Sequence, residues 1–352
     1  MRIGIPREIK PLEGRVGLIP AAAAELVKQG HELFIEQRAG ELSGYDDAQY
    51  SALGIGLKPD AASLYESVQM IIKVKEPVEP EIKLLRKDHL LFSFLHLAAE
   101  PVLTQKLLDI GLTAVAFETV EDDRQLPLLA PMSDIAGRLA TQIGTTLLHQ
   151  PSGGKGVLLG GLPAAPRGRV VILGGGVAGG GAATLAAAMG AEVVVFDKER
   201  AKLAQMRALG ANVTALYGYS DLIAEEVARA DLLIGAVLIP GAKAPHLVSA
   251  DVVKTMARGS VIIDIAVDQG GCIETTRPTN YQSPTFEWEG VVHFCVTNMP
   301  GAVPRSASQA LSAALLPYAM RLANGELEQH ASLQAGINVQ AGELIHPALR
   351  AL

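Results

Sequence analysis

Short runs of consecutive apolar residues, rich in Val, Ile and Leu, alternate along the chain with longer segments whose apolar residues recur every three or four positions. The first kind reads as strands buried on both faces, the second as amphipathic helices. Over residues 1–128 the pattern predicts strands at Arg2–Ile5, Glu32–Glu36, Met70–Val74, Leu90–Leu95 and Thr113–Glu118. Helices fit between them at Ala21–Gln29, Asp47–Leu53, Ala61–Glu66, Glu79–Leu85 and Val102–Ile110. Gly30 stands just past the first of these helices, where a left-handed residue commonly ends a helix. This alternation implies a mostly parallel sheet with helices on both faces.

Pro127, Pro131 and the charged tract Glu121–Arg124 mark a change of unit. A helix is expected over Ser133–His149 with Ser133 as its N-cap, followed by a Gly- and Pro-rich loop, Pro151–Pro166. The alternation then resumes, with strands at Val170–Leu173, Val193–Phe196, Ala211–Leu216, Leu232–Gly235, Ser260–Asp264 and Val291–Val296. Helices are expected at Arg200–Leu209, Ser220–Ala230 and Ala250–Met256, and a long one at Ser306–Asn324 that would return to the first unit. The fold class expected is α/β, with two Rossmann-like doubly wound domains and a cleft between them. One domain is discontinuous, 1–128 plus about 305–352; the other is about 129–304.

The segment Arg169–Asp197 adds chemistry to this pattern. Its first strand runs into Gly174, Gly176 and Gly179 in G-x-G-x-x-G register, then a helix of small residues, a second strand and Asp197. Gly174 permits a tight turn, Gly176 lets backbone approach a pyrophosphate, and Gly179 lets the helix pack close to the strand. The helix N-terminus, which includes Val177 and Ala178, offers unpaired N–H groups to phosphate. Asp197 can accept hydrogen bonds from ribose hydroxyls and would repel a 2′-phosphate, which favours NAD over NADP.

Composition narrows the function further. The chain has 352 residues, 49% of them hydrophobic, and a net charge of −7 without a basic cluster, which argues against nucleic acid or an anionic membrane surface as partner. Cys272 and Cys295 have neither metal nor redox spacing and read as free thiols in a reducing compartment. The eight histidines are scattered without ligand spacing, so no metal is expected. No signal-peptide core or long apolar run is present, so a soluble, cytoplasmic protein is expected.

Four residues at strand ends or in loops carry the candidate chemistry. Arg15, in GRVGLIP, could offer a bidentate fork to a substrate carboxylate. Lys75, at the end of MIIKVK, could bind a carbonyl or carboxylate oxygen, and Lys73 on the same strand face competes for that role. His96, after LLFSFL, suits general acid–base work. Asp268, in VIIDIAVDQGG, is the candidate acid, with Asp264 as the structural alternative. Together they suit hydride transfer at the carbon of a small 2-oxo or 2-amino acid.

The motifs GIPREIKPLEGRVGLIP, KVKEP, FLHLA, LPLLAPMSDIAGRLA, GGGVAG, IGAVLIPGAKAP, DIAVDQGGC and CVTNMPGAVP, in this order over about residues 1–325, resemble the alanine dehydrogenase family. The resemblance implies NAD-dependent oxidative deamination of L-alanine to pyruvate and ammonium, reversibly, in a homo-oligomer, usually a hexamer. It assigns substrate binding to Arg15 and Lys75, which decides between the two lysines, and catalysis to His96 and Asp268. It places cofactor contacts on Ser133, Val177, Ala178, Asp197, Lys202, Ser220, Val237, Leu238, Ile265, Ala266, Val267, Asp268, Arg277, Val296, Thr297, Asn298 and Met299. Lys202 is expected to join Asp197 on the ribose. A related dehydrogenase for another small amino acid, or a non-catalytic NAD-binding subunit like that of transhydrogenase, are the alternatives. The chain departs from the family pattern at Phe94 and Phe117, where tyrosines are common, and at Gly180 and Gly181, where a larger residue and an asparagine are usual. Two more glycines in a starting helix imply a looser phosphate-binding turn.

Overall fold

The computed structural model describes residues 1–237 and 245–350. The chain divides into two compact units, Met1–Met132 with Gly301–Leu352, and Ser133–Pro300. In chain order the strands are β1 (Arg2–Ile5), β2 (Glu32–Glu36), β3 (Gly56–Lys58), β4 (Met70–Ile72), β5 (Leu90–Ser93), β6 (Thr113–Ala116), β7 (Arg169–Leu173), β8 (Glu192–Asp197), β9 (Val213–Tyr217), β10 (Leu232–Gly235), β11 (Val261–Asp264), β12 (Thr285–Trp288), β13 (Val291–Phe294), β14 (Ile337–Gln340) and β15 (Glu343–Leu344).

The first unit holds one sheet in the order β15-β14-β6-β5-β4-β1-β2-β3. Strands β1 to β6 are all parallel. The apolar runs that predicted them are buried on both faces, as Met70–Ile72 is throughout. The chain starts in the middle, winds outward to β3, then returns to β4 on the other side of β1. The β1–β4 boundary is therefore a topological switch point, where the loops after the two strands diverge and leave a crevice.

The second unit repeats the plan in the order β12-β13-β11-β10-β7-β8-β9, with β7 to β11 and β13 parallel. Its switch point lies between β7 and β10. Aliphatic side chains fill both interiors: Ile71, Leu91 and Leu107 in the first unit, Val171, Val194 and Leu233 in the second.

Two hairpins escaped the apolar pattern. Strand β12 pairs antiparallel with β13 through Glu289–Gly290, and β15 with β14 through Ala341–Gly342. Both turns have positive φ at both central residues, 49° and 80° in one and 51° and 84° in the other, the two-residue geometry whose twist matches a hairpin. Neither contains an Asn-Gly or Asp-Gly signal, and β12, β14 and β15 are at most four residues long. Strand β3, three half-buried residues at the sheet edge, was missed for the same reason.

Several boundaries shift. Strands β4 and β5 stop at Ile72 and Ser93, short of Val74 and Leu95. The helix expected from Ser133 begins at Ala130. Pro131 sits in its first turn, where a missing N–H costs nothing, so Ser133 lies inside the helix and is not its N-cap. Among the described residues no helix is long and apolar enough to cross a membrane.

Candidate active site

Arg15, Lys75 and His96 all follow the carboxyl ends of neighbouring parallel strands, β1, β4 and β5. Arg15 lies in a buried loop whose backbone groups are taken up one by one, as a buried loop requires. The Val16 and Ile19 N–H groups donate to the Ser308 and Ser312 hydroxyls at 3.0 Å each. Ser43 donates to the Gly14 carbonyl at 2.7 Å, and Tyr50 to that of Leu18 at 2.8 Å. Ser308 and Ser312 belong to the helix Pro304–Ala323, so the late chain segment fixes the early loop.

Arg15 itself is only 3% exposed. Its Nε and Nη2 donate to the two carboxylate oxygens of Glu13 at 2.7 and 2.5 Å, and Nη1 to the thioether of Met132 at 3.3 Å. The planar fork is held in one orientation, with a weak acceptor on its Nη1 side. A cavity of about 150 Å³ adjoins it, with Arg7, Arg15 and Arg38 balanced by Glu8, Glu13 and Glu41 in the lining.

The two lysines that periodicity could not separate differ in burial. Lys73 is 1% exposed and ion-paired to Glu8 and Glu81 at 3.1 and 3.3 Å. The side chain of Lys75 is 17% exposed, 3.8 Å from the Glu76 carboxylate. Neither is in a strand, because β4 ends before them.

His96 stands three residues beyond β5 rather than at its last position, in the left-handed region at φ 51°. Such a conformation persists only when its surroundings impose it. Here Glu118, just past β6, accepts the Leu95 and His96 N–H groups at 3.2 and 2.6 Å. The half-buried imidazole stacks on Phe94 (centroids 5.8 Å apart, planes 3° apart), which meets Phe117 edge-on. Glu8, Glu13 and Glu118 were not singled out in the sequence. The only signal was an acid close to a buried apolar run, which many surface acids share.

In the second unit the glycine turn has the spacing its role requires. Gly174 takes φ 98°, and a Cβ on Gly179 would fall 1.8 Å from the Gly174 carbonyl oxygen. A Cβ on Gly176 would meet nothing within 4 Å. The turn is thus closed toward the protein and open where a ligand backbone would approach. The helix Val177–Ala188 starts there, at the switch point, with its unpaired N–H groups. Asp197 ends β8 and accepts the Gly175 and Glu199 N–H groups at 2.7 and 2.8 Å. Each of its oxygens retains a second lone pair for a hydroxyl donor. These residues fit a dinucleotide with an unsubstituted adenosine ribose. Lys202 pairs with Glu199 at 2.6 Å, and the Glu199 N–H in turn donates to Asp197.

Asp264, the alternative to Asp268, is wholly buried and accepts from the Ala266 and Cys272 N–H groups and the Thr276 hydroxyl at 3.1, 3.0 and 2.9 Å. Burial pushes its carboxyl above the ordinary value, while these donors pull it back. It is the structural acid that closes the loop after β11. Asp268 stands exposed on that loop, in the short helix Val267–Gln269.

Both halves of the chain match a family model: residues 4–136 the alanine dehydrogenase/PNT N-terminal domain, and residues 140–347 the alanine dehydrogenase/PNT C-terminal domain. The chain belongs to the alanine dehydrogenase/PNT family. It is 46% identical to an alanine dehydrogenase of Bacillus subtilis, over 99% of this chain and 94% of that protein. It is 47% identical to one of Methanococcus maripaludis, over 99% and 95%. Among solved structures an L-alanine dehydrogenase superposes with a TM-score of 0.96 at 51% identity, covering 100% of this chain and 98% of that one. A transhydrogenase from Sinorhizobium meliloti gives 0.86 at 26% identity, over 99% and 100%.

The remaining positions matched to the family's cofactor contacts gather at the carboxyl edge of the second sheet. Ser220 follows β9 and is exposed; Val237 follows β10; Ile265, Ala266 and Val267 follow β11; Val296 to Met299 follow β13. Tyr281 donates to the Met299 carbonyl at 2.9 Å and steadies that last loop. Arg277 is exposed and lies over the Phe286 ring, 4.4 Å from its centroid. Leu238 lies outside the described residues.

The departure from the family pattern at Gly180 and Gly181 falls within the helix Val177–Ala188. The helix runs unbroken through both, and Gly181 packs against a neighbouring helix: a Cβ there would lie 2.5 Å from Asp134 Oδ1. On that facing helix, Ala130–Leu147, a Cβ on Gly137 would lie 1.9 Å from the Ala178 carbonyl oxygen, and Thr141 donates to the Ala182 carbonyl at 3.0 Å. An asparagine at 181 would clash.

Proposed function

We propose that this chain catalyses the NAD-dependent oxidative deamination of L-alanine, L-alanine + NAD⁺ + H₂O → pyruvate + NH₄⁺ + NADH + H⁺, and its reversal. The observation that carries the reading is the arrangement at the first sheet's switch point. An oriented guanidinium, an accessible lysine and a histidine follow adjacent strand ends, in a chain nearly half identical to alanine dehydrogenases.

In this reading Arg15 and Lys75 bind the amino acid through its carboxylate. The carboxylate replaces the weak thioether partner on Nη1 with a charge-assisted bond. Bound at Gly174–Gly179 and Asp197, NAD⁺ supplies the hydride acceptor. Loss of hydride from Cα leaves an iminium carbon, and the carboxylate of Asp268 favours that positive charge. His96 takes a proton from the attacking water, then returns one to the departing amine. Holding the reactants in place accounts for up to about 7–11 kcal/mol of the barrier. The assembly in this reading is a homo-oligomer, a hexamer as the family resemblance implies.

The test is initial-rate NADH formation with L-alanine, then glycine, L-serine and L-2-aminobutyrate. The highest kcat/KM with L-alanine is expected. A preference for a larger amino acid favours a related dehydrogenase instead, and no turnover of any amino acid refutes the reading.

A further inference from the structure

Two buried charged side chains have no part in that scheme. Glu8 lies in the loop after β1 and Lys73 just past β4, and their side chains are 2% and 1% exposed. They meet around the backbone of Lys75. One Glu8 oxygen accepts the Val74 N–H at 2.6 Å; the other accepts the Lys75 N–H at 3.3 Å and the Lys73 ammonium at 3.1 Å. Lys73 in turn donates to the Lys75 carbonyl at 2.7 Å and reaches Glu81 at 3.3 Å. Three acceptors thus satisfy the three donors of the ammonium.

Glu81 continues the clamp along the chain. Its carboxylate accepts the Val78 N–H at 2.9 Å and the Tyr65 hydroxyl at 3.3 Å. On the other side, Lys73 N–H donates to the Phe92 carbonyl and Phe94 N–H to that of Val74, at 3.2 and 3.1 Å. The main chain carrying Lys75 is therefore tied to the loop after β1, which leads to Arg15, and to the segment after β5, which leads to His96. Burial lowers the pKa of Lys73, but the Glu8 and Glu81 carboxylates outweigh it and keep the ammonium charged.

Stability alone does not call for this arrangement. Well-packed apolar side chains in place of a buried ion pair are commonly neutral or stabilising. What apolar residues cannot do is hold both the N–H and the carbonyl of one exposed-facing lysine.

We propose that Glu8 and Lys73 are positioning residues, a buried pair that fixes the main chain of Lys75 and so sets where its ammonium meets the substrate oxygen. The inference rests on the reading that Lys75 binds substrate. It places the pair's effect on the amino or oxo acid and not on the nucleotide, which the other unit binds.

The test is the triple variant Glu8→Gln/Lys73→Met/Glu81→Gln in the full-length protein, which leaves no unpaired charge in the cluster, with Glu8→Gln alone and Lys75→Met beside it. KM for L-alanine and for pyruvate should rise about tenfold to a hundredfold, the scale of a misplacement of about 1 Å at a reacting centre. NADH affinity by fluorescence titration should stay within about twofold, and the thermal midpoint within a few degrees. Glu8→Gln must set an amide N–H against either the Val74 N–H or the Lys75 and Lys73 donors, so it should move substrate KM in the same direction. Unchanged KM in a folded variant overturns the proposal. So does a loss of substrate affinity, NADH affinity and thermal stability together, which marks a merely structural role. If Lys75→Met leaves substrate KM at the parent value, the underlying assignment of Lys75 fails, separately from the clamp.

Discussion

Three glycines within five positions of the phosphate-binding turn should respond to alanine in three different ways, because the space around them differs. At Gly179 the new Cβ falls 1.8 Å from the Gly174 carbonyl oxygen and 2.9 Å from its carbon. Ordinary contact begins near 3.4 Å, and the obstacle is backbone, so the turn must open by more than an ångström. Overpacking of this kind costs about 1–3 kcal/mol, or several degrees in a unit of this size at about 2–4 °C per kcal/mol. The displaced N–H groups should weaken NADH binding by tenfold or more, about 1.4 kcal/mol. At Gly176 the backbone is ordinary, with φ −73°, and nothing lies within 4 Å. Gly176→Ala should leave the unfolding midpoint unchanged, yet weaken NADH by a similar factor by putting a methyl group where the pyrophosphate approaches. At Gly180 the nearest atom is the flexible end of Met206 at 3.4 Å. Gly180→Ala should therefore raise stability by about 0.5–1 kcal/mol, the usual gain in a helix interior, with NADH affinity kept. Differential scanning fluorimetry without ligand and NADH fluorescence titration separate the three. If Gly176→Ala binds NADH like the parent, or Gly179→Ala keeps both properties, the reasoning from space in this turn is wrong.

Other consequences can be checked directly. His96→Ala should lower kcat by about 10²–10⁴-fold with NADH affinity unchanged; undiminished turnover would remove His96 from acid–base work. Asp197→Ser removes the charge facing the adenosine ribose, so the ratio of kcat/KM with NAD to that with NADP should fall. A ratio that stays put would move the cofactor choice elsewhere. His293 is wholly buried, with Nδ1 bonded to the Val291 carbonyl at 3.0 Å and Nε2 to the Thr275 hydroxyl at 2.8 Å. Burial lowers its pKa below 6.5. Below that pH the unfolded chain takes up a proton that the folded one refuses, so folding stability is lost as pH falls. The loss is up to about 1.4 kcal/mol per pH unit. Relative to His293→Asn, the parent should therefore lose its stability advantage between pH 7 and 5. Denaturant midpoints that stay parallel across this range would refute the assignment.

The sequence by itself determined the parts of this protein whose physics is local. Short apolar runs rich in β-branched residues and bounded by turn residues read as strands, and β1, β2, β8 and β10 fall within a residue or so of where those runs lie. The glycine turn is likewise local, with Gly174 at φ 98° and Gly179 close against the Gly174 carbonyl. Tertiary structure decided what depends on neighbours distant in sequence. It separated Lys73 from Lys75 through Glu8, some 65 positions away, whose carboxylate reaches one ammonium and leaves the other accessible. It imposed a left-handed conformation on His96 through the carboxylate of Glu118. It also made Gly181 the site of a close helix contact with Asp134, while Gly180 next to it meets only the end of Met206. Strands β12, β14 and β15 belong with these, since TFEW, INVQ and EL contain no continuous apolar run and pair through hydrogen bonds offered by strands already in the sheets.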